Sequence, residues 1–275
     1  MNAEEFRLVR DAVYGVSGIL IQEELKFLLE RRLASRLEVL GLPDFTTYYR
    51  HLCSGSVGRE ELDTAVELLA THETYFFREP VQLEAFRREL LPRLHARKLS
   101  TRRLQLWSAG CSTGEEPYTL AMLILDSGLF AGWDIQIFAT DLSRRVLATA
   151  RRGEYGPASL RSTPESAIDR HFERIGDRVQ VNPEVRDLVT FGNVNLLDPN
   201  ARTLVPASDV VFCRNVMIYF DTAARTRLIQ GIYERLVPGG YLLLGHSENL
   251  LHWSTDFELV HLKGDLVYRR PERDA

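Results

Sequence analysis

Leucines recur every three to four residues near the start of the chain, at Leu25, Leu28 or Leu29, Leu33, Leu37 and Leu40, until GLPD at 41–44 stops the pattern. An apolar stripe of that period predicts an amphipathic helix. Further helical patterns at 46–52 and 60–69 are separated by the turn-prone CSGSVG of 53–58. No alternating segment interrupts them, so residues 1–72 read as a small all-helical domain.

Beyond Glu79 and Pro80 a helix is predicted to residue 98, and then the period changes. Strand patterns at 104–107, 135–139, 188–191, 210–213 and 241–244 alternate with helical ones at 118–126, 143–152 and 222–236, the last closed by Pro238, Gly239 and Gly240. That rhythm predicts an α/β domain over 73–275, with a parallel sheet and right-handed crossovers. Two short runs, 257–261 and 266–269, flank the KGD of 263–265 and read as a hairpin. Residues 153–187 break the alternation and greatly exceed the usual connection of about four to six residues. With a strand pattern at 178–181, they read as a small β-containing insert.

Composition narrows the class. The chain has 275 residues, 45% hydrophobic, and its 34 basic and 38 acidic side chains leave a formal charge of −4, which argues against a general nucleic-acid binder. Cys53, Cys111 and Cys213 are widely spaced and form no Cys-x-x-Cys pair, so a reducing compartment is expected. The opening MNAEEFR lacks a basic, then apolar leader, and no apolar run approaches the roughly 18 residues of a membrane span. A cytoplasmic protein without membrane insertion is the expectation.

Candidate chemistry collects where the strands end, because in open α/β sheets ligands bind beyond the carboxyl ends of the strands. The first strand runs into SAGCSTGEEP at 108–117, where Gly110 and Gly114 allow a sharp turn and close approach of a ligand. The spacing is not Gly-x-Gly-x-x-Gly. Glu115 and Glu116 would repel a pyrophosphate but suit the ammonium group of a zwitterionic, cationic cofactor. Thr113 and Glu116 have capping-box spacing, so a plain strand-to-helix turn with two capping carboxylates is the alternative. Asp141 can accept from ribose hydroxyls or cap the helix that follows, and Asn195 to Asp198 offer amides and an apolar surface. Arg214, Asn215 and Tyr219 lie just beyond the strand at 210–213.

Six segments, THETYFFR at 71–78, WSAGCSTGEEPY at 107–118, ATD at 139–141, NLL at 195–197, FCRNVMIYF at 212–220 and GHSE at 245–248, together resemble the CheR family of chemotaxis receptor methyltransferases. The resemblance covers nearly the whole chain in the family's order and spacing. It implies a class I S-adenosylmethionine-dependent methyltransferase fold, a doubly wound sheet with a terminal antiparallel hairpin slotted into it. It also implies S-adenosylmethionine as cofactor, S-adenosylhomocysteine as product, and a cofactor site of His72, Thr74, Arg78, Gly110, Glu115, Asp141, Asn195, Leu196, Arg214 and Asn215. In that site Arg78 neutralises the methionine carboxylate and Glu115 faces its ammonium. His72 stands where the family commonly has Asn; imidazole replaces one amide hydrogen bond but not both, so altered cofactor affinity is expected.

The implied acceptor is a glutamate side chain on the cytoplasmic coiled coil of a chemoreceptor, converted to a methyl ester. An ionised carboxylate is already the nucleophile, so in-line positioning rather than a general base is required. Tyr219 would lie beside the transferred methyl; a core aromatic is its alternative. Lys26, Arg31, Arg32 and Arg36 would dock the acidic methylation helices, with Arg32 and Arg36 on one face and Arg31 roughly 100° away. A solvated face paired with Glu23, Glu24 and Glu30 is the other reading. RIGDR at 174–178 is short where tethered relatives carry extra glycine-containing residues, so the chain is expected not to use a receptor-tail pentapeptide. The histidines lack the His-Glu-x-x-His spacing of a metal helix, and no metal is expected. The rival readings are a non-catalytic S-adenosylmethionine sensor or scaffold and a methyltransferase with another acceptor.

Overall fold

A computed structural model describes residues 1–250 and 256–272, and the chain divides into two compact units, Met1–Thr71 with Ile218–Arg225, and His72–Met217 with Thr226 onward. In the first unit α1 (Ala3–Ser17), α2 (Lys26–Leu40), α3 (Phe45–Leu52) and α4 (Gly55–Leu69) bury Phe6, Val9, Val13, Leu29, Leu33 and Tyr48. Asn2 and Glu5 form a capping box at the start of α1, and Asp44 caps α3. The turn expected at 53–58 is a correction, because α4 already begins at Gly55. Gly58 serves close approach: a Cβ there would sit 2.5 Å from the Leu52 carbonyl oxygen and closer still to that of His51.

The larger unit opens with α5 (Pro80–Ala85), a π-helical turn at Phe86–Leu90 and α6 (Leu91–Lys98), where one continuous helix was predicted. Pro92 explains the difference. It has no N–H to give and its ring crowds the preceding turn, and the wider turn takes up the mismatch, with the Leu91 N–H bonded to the Phe86 carbonyl.

Next come β1 (Arg103–Ala109), α7 (Glu115–Ser127), β2 (Asp134–Asp141) and α8 (Arg144–Arg152). The insert holds β3 (Glu154–Tyr155), α9 (Glu165–His171), β4 (Phe172–Ile175), β5 (Arg178–Val181) and α10 (Pro183–Arg186); its strands form an antiparallel sheet in the order β3-β5-β4. The chain closes with β6 (Val189–Asn193), α11 (Pro199–Arg202), β7 (Ser208–Cys213), α12 (Thr222–Arg235), β8 (Leu236–Leu244), β9 (Glu258–Leu262) and β10 (Asp265–Arg269).

The main sheet has the order β6-β2-β1-β7-β8-β10-β9, parallel from β6 through β8, with β10 antiparallel to both β8 and β9. The terminal hairpin therefore slots β10 between β8 and β9, and the fold is the expected doubly wound class I methyltransferase sheet. Pro238, Gly239 and Gly240 do not close α12 but belong to β8, in a bulge where the pairing slips between Ser208 and Val210. Leu106, Val210, Phe212 and Leu243 of the sheet pack with Phe86, Leu90, Leu120 and Ile124 of the helices in one core. The insert joins that core through Phe76, whose ring meets Tyr155 and Phe172 edge-on at 4.8 and 5.0 Å. Among the described residues no helix is long and apolar enough to cross a membrane.

Candidate active site

β1, β2 and β7 are parallel neighbours, so the loops after them share one edge. After β1 the Gly110 and Cys111 N–H groups both donate to the Thr140 carbonyl, at 2.8 and 2.9 Å. Gly110 has φ +83°, and a Cβ on it would lie 2.5 Å from Val216 Cγ2. Gly114, at φ +96°, would place a Cβ 2.8 Å from Ala150 Cβ and 3.0 Å from Tyr155 Oη. Both glycines thus answer to a left-handed backbone and to crowding from neighbouring segments.

The capping box expected of Thr113 and Glu116 does not form. α7 starts at Glu115 with Gly114 as its N-cap and no side-chain cap, leaving Thr113 outside the helix. The two carboxylates turn inward instead. Glu115 accepts from Thr113 Oγ1 at 2.6 Å and from Ser159 Oγ of the insert at 2.9 Å. Glu116 accepts from Ser108 Oγ at 2.7 Å and lies 3.4 Å from Arg214 Nη1. Burial pushes both carboxyls above their ordinary range.

Asp141 accepts from the Ser112 N–H through one oxygen and from the Ser143 N–H through the other, each at 2.9 Å. It does not cap the next helix; α8 begins at Arg144, capped by Ser143, whose Oγ accepts from Val146 N. Burial raises the Asp141 carboxyl, opposed by those two N–H groups and by the nearby His72 imidazole. The His72 carbonyl accepts from Ser112 Oγ at 3.2 Å, which ties the 71–78 segment to the same loop. After β6, Asn195 Oδ1 accepts from the Leu197 N–H, and buried Leu196 is held through its carbonyl by Arg202 Nη1 at 3.2 Å.

The segment from Thr74 to Glu79 is pinned to α7. Phe77 N donates to Thr119 Oγ1 at 3.2 Å, and Thr119 donates onward to the Glu115 carbonyl. Arg78 donates to the Glu73 carbonyl at 2.9 Å and lies near the Tyr75 ring, with no carboxylate partner among the described residues. Arg214 is buried: its guanidinium meets Glu79 at 3.1 Å and Glu116 at 3.4 Å and donates to the Arg78 carbonyl at 2.6 Å. Its other donors hold the frame, and Nε has no partner among the described residues. Asn215 follows with φ +58°. Phe77, Glu79, Ser112 and Asn215 are four of the five non-glycine residues with positive φ among the described residues, a conformation costing on the order of 1–3 kcal/mol each that persists where surrounding structure enforces it.

These residues fit the cofactor inferred from the sequence. Glu115 is a buried carboxylate with hydroxyl partners and no ion pair among the described residues, and Arg78 is a cation with no carboxylate within ion-pair distance among them, charge types that suit an ammonium and a carboxylate. The sequence missed Ser159, Tyr155, Glu79 and Glu248, whose contacts span segments far apart in the chain. For Glu248 the GHSE motif was the available signal.

Tyr219 closes the 3-10 turn Met217–Tyr219 and is grouped with the helical unit, where its carbonyl accepts from Leu20 N at 2.9 Å. Of the basic docking set, Arg36 is bidentate on Glu61 at 2.9 and 2.6 Å, with Tyr48 Oη also donating to Glu61 at 2.7 Å. Arg32 donates to the carbonyls that end α4, best to Leu69 at 2.7 Å. Lys26 and Arg31 have no such role, and among the described residues none of the four pairs with Glu23, Glu24 or Glu30. No group of His, Cys, Asp and Glu suited to a metal occurs among the described residues.

Comparison with known proteins identifies the family. Residues 4–70 match the model of the CheR methyltransferase all-alpha domain, and residues 72–265 that of the CheR methyltransferase SAM binding domain. The chain is 37% identical to chemotaxis protein methyltransferase 2 of Pseudomonas aeruginosa, covering 96% of this chain and 92% of the relative. It is 35% identical to the chemotaxis protein methyltransferase of Escherichia coli, over 98% and 91% of the two chains. With chemotaxis protein methyltransferase 2 of Vibrio cholerae it shares 32% identity over 98% and 93%. Matched in both domains and along nearly its full length, the chain belongs to the CheR family of S-adenosylmethionine-dependent methyltransferases.

Proposed function

We propose that this chain methylates glutamate side-chain carboxylates of chemoreceptors, with residues 1–72 as a docking domain and residues 73–275, including the insert at 153–187, as the catalytic domain. The observation that supports the cofactor half of this reading is the buried Glu115 carboxylate, which has hydroxyl partners but no ion pair among the described residues, on the helix to which the segment carrying Arg78 is pinned. The acceptor half rests on the relatives, each a chemotaxis protein methyltransferase by name. In that setting the protein works where receptors face the cytoplasm.

When bound, S-adenosylmethionine supplies an electrophilic methyl group on a sulfonium. The chain's own residues bind and orient. Glu115 would hold the ammonium and Arg78 the carboxylate of the methionine moiety. Asp141 keeps lone pairs for ribose hydroxyls beside the two N–H groups it already accepts from. Asn195, Leu196, His72, Thr74, Gly110 and Asn215 would line the remainder, with Arg214 holding the loops around it. Tyr219 is proposed to orient the acceptor carboxylate. No proton needs to be removed from an ionised glutamate, so the absence of a general base in this assignment is chemically consistent.

Docking of an acidic receptor helix falls to Lys26 and Arg31, since Arg32 and Arg36 are occupied within the helical unit. The insert turn is short, with only Gly176 and Asp177 between β4 and β5, and on that basis we infer independence from a receptor-tail pentapeptide. Tight binding of such a peptide to the full chain would refute it.

The deciding experiment incubates the chain with methyl-labelled S-adenosylmethionine and membranes carrying chemoreceptors, and reads base-labile methanol. Label on receptor glutamates, strongly reduced by Tyr219→Phe, is the expected result. Binding of the cofactor without label on any receptor would overturn the acceptor assignment in favour of a sensor.

A further inference from the structure

The GHSE motif has no place in the site as assigned so far, yet its last residue reaches into it. Residues 245–248 form a turn after β8, closed by the Glu248 N–H on the Gly245 carbonyl at 2.9 Å. The side chain folds back so that one oxygen, Glu248 Oε2, accepts from the Gly245 N–H at 2.9 Å and from the Asn215 N–H at 2.7 Å. These are the lengths of charge-assisted bonds. The second bond crosses from the loop after β8 to the loop after β7.

Asn215 has particular need of such a bond. It sits at φ +58°, a conformation that a non-glycine residue keeps only under outside constraint. Gly245 packs against it so tightly that a Cβ would lie 2.8 Å from Asn215 N, 2.8 Å from Glu248 Oε2 and 2.9 Å from Asn215 Nδ2. The carboxylate, the missing side chain and the left-handed backbone form one arrangement. On the other side of Asn215, Arg214 is fixed by Glu79 and Glu116.

We propose that Glu248 is a positioning residue for cofactor binding: it pins the backbone of Asn215 in the left-handed conformation that aims the Asn215 amide at the cofactor. This rests on the assignment of Asn215 to the cofactor site. Glu248 acts by reach, placing one oxygen at the meeting point of two N–H groups, rather than by its charge alone. Gly245 acts with it by leaving room for that oxygen.

Reach and charge separate in two variants of the full chain. Glu248→Asp keeps the charge but withdraws the oxygen by one methylene, whereas Glu248→Gln keeps an oxygen at full reach without the charge. Two readouts apply: hydrogen exchange of the Asn215 and Gly245 amides in the unliganded protein, and calorimetric affinity for S-adenosylhomocysteine. Positioning requires faster exchange at both amides in Glu248→Asp, with affinity about tenfold weaker, the scale of a lost hydrogen bond to a charged group. Glu248→Gln must lose less on both counts.

Unchanged exchange in Glu248→Asp, or a larger loss in Glu248→Gln than in Glu248→Asp, overturns the proposal. Faster exchange with unchanged affinity overturns it as well, and Asn215→Ala then shows why. If that variant binds weakly, Asn215 matters but does not depend on Glu248; if it binds normally, the assignment of Asn215 to the cofactor site is what failed.

Discussion

The carboxylate of Asp141 accepts the Ser112 N–H at 2.9 Å, so the last residue of β2 holds the left-handed turn of the loop after β1. Its other oxygen accepts from Ser143, and an amide cannot reproduce both bonds because one of its two ends is a donor. Asp141→Asn is expected to lose about 1–3 kcal/mol of unfolding free energy, the cost of leaving one of those N–H donors unpaired. Affinity for S-adenosylhomocysteine should fall with it. Urea denaturation and calorimetry on the same preparation check both effects.

Glu115 predicts a pH dependence of defined sign. Burial raises its folded-state value, so between the ordinary carboxylate range and that raised value the folded chain holds more protons than the unfolded one. Stability of the unliganded protein therefore declines as pH rises through this window. A cofactor ammonium favours the ionised form, so binding strengthens as pH rises through the same window. Glu115→Gln should weaken binding and flatten part of the slope, leaving the share of Asp141 and Glu116, which burial shifts the same way. Calorimetric titration from about pH 4 to 7 measures the slope.

Arg36 and Arg31 should behave oppositely. Glu61 is buried; burial raises its carboxyl, but the bonds from Arg36 and Tyr48 more than offset this and leave it below its ordinary value. Arg36→Ala strands that carboxylate at an expected cost of about 2–3 kcal/mol, less than the roughly 3–5 of a fully buried pair because Arg36 is partly exposed. Arg31→Ala should stay within about 0.5 kcal/mol of the parent in stability and raise KM for receptor. Denaturation curves and receptor titrations distinguish the two.

Gly110→Ala should weaken cofactor binding and cost about 2–4 kcal/mol, combining a left-handed backbone with overpacking against Val216. Adding Val216→Ala removes the clash but not the conformational cost, so the double variant should recover part of the loss. A double-mutant cycle on unfolding free energy gives the coupling.

The sheet and its loops were legible in the sequence because period and loop order are local properties, and the resemblance supplied the hairpin's place between β8 and β9. Partner choice was not. For Glu115 and Glu116 the sequence left open a cofactor ammonium or a pair of capping carboxylates, and it could not show Ser159, forty-four residues downstream, or Arg214, ninety-eight downstream, as their partners. Arg32 and Arg36 share a helical face as expected, but that face meets α4, a fact absent from the pattern of α2 alone. Gly58 carries the composition of a turn and serves a close helix contact, because glycine is selected both for torsional freedom and for small size.

The insert supplies Ser159 Oγ to Glu115, Tyr155 Oη to the Thr113 carbonyl at 2.7 Å, and the Ser159 carbonyl to the Phe76 N–H at 2.9 Å. It thus braces the loop after β1 as well as forming a surface attachment. A change of sequence in this segment is felt at the Glu115 carboxylate and at the backbone of Thr113 and Phe76, so exchanging the insert between relatives would also alter the loop after β1. The insert and that loop are mechanically joined, and substitutions at Tyr155 or Ser159 set how firmly.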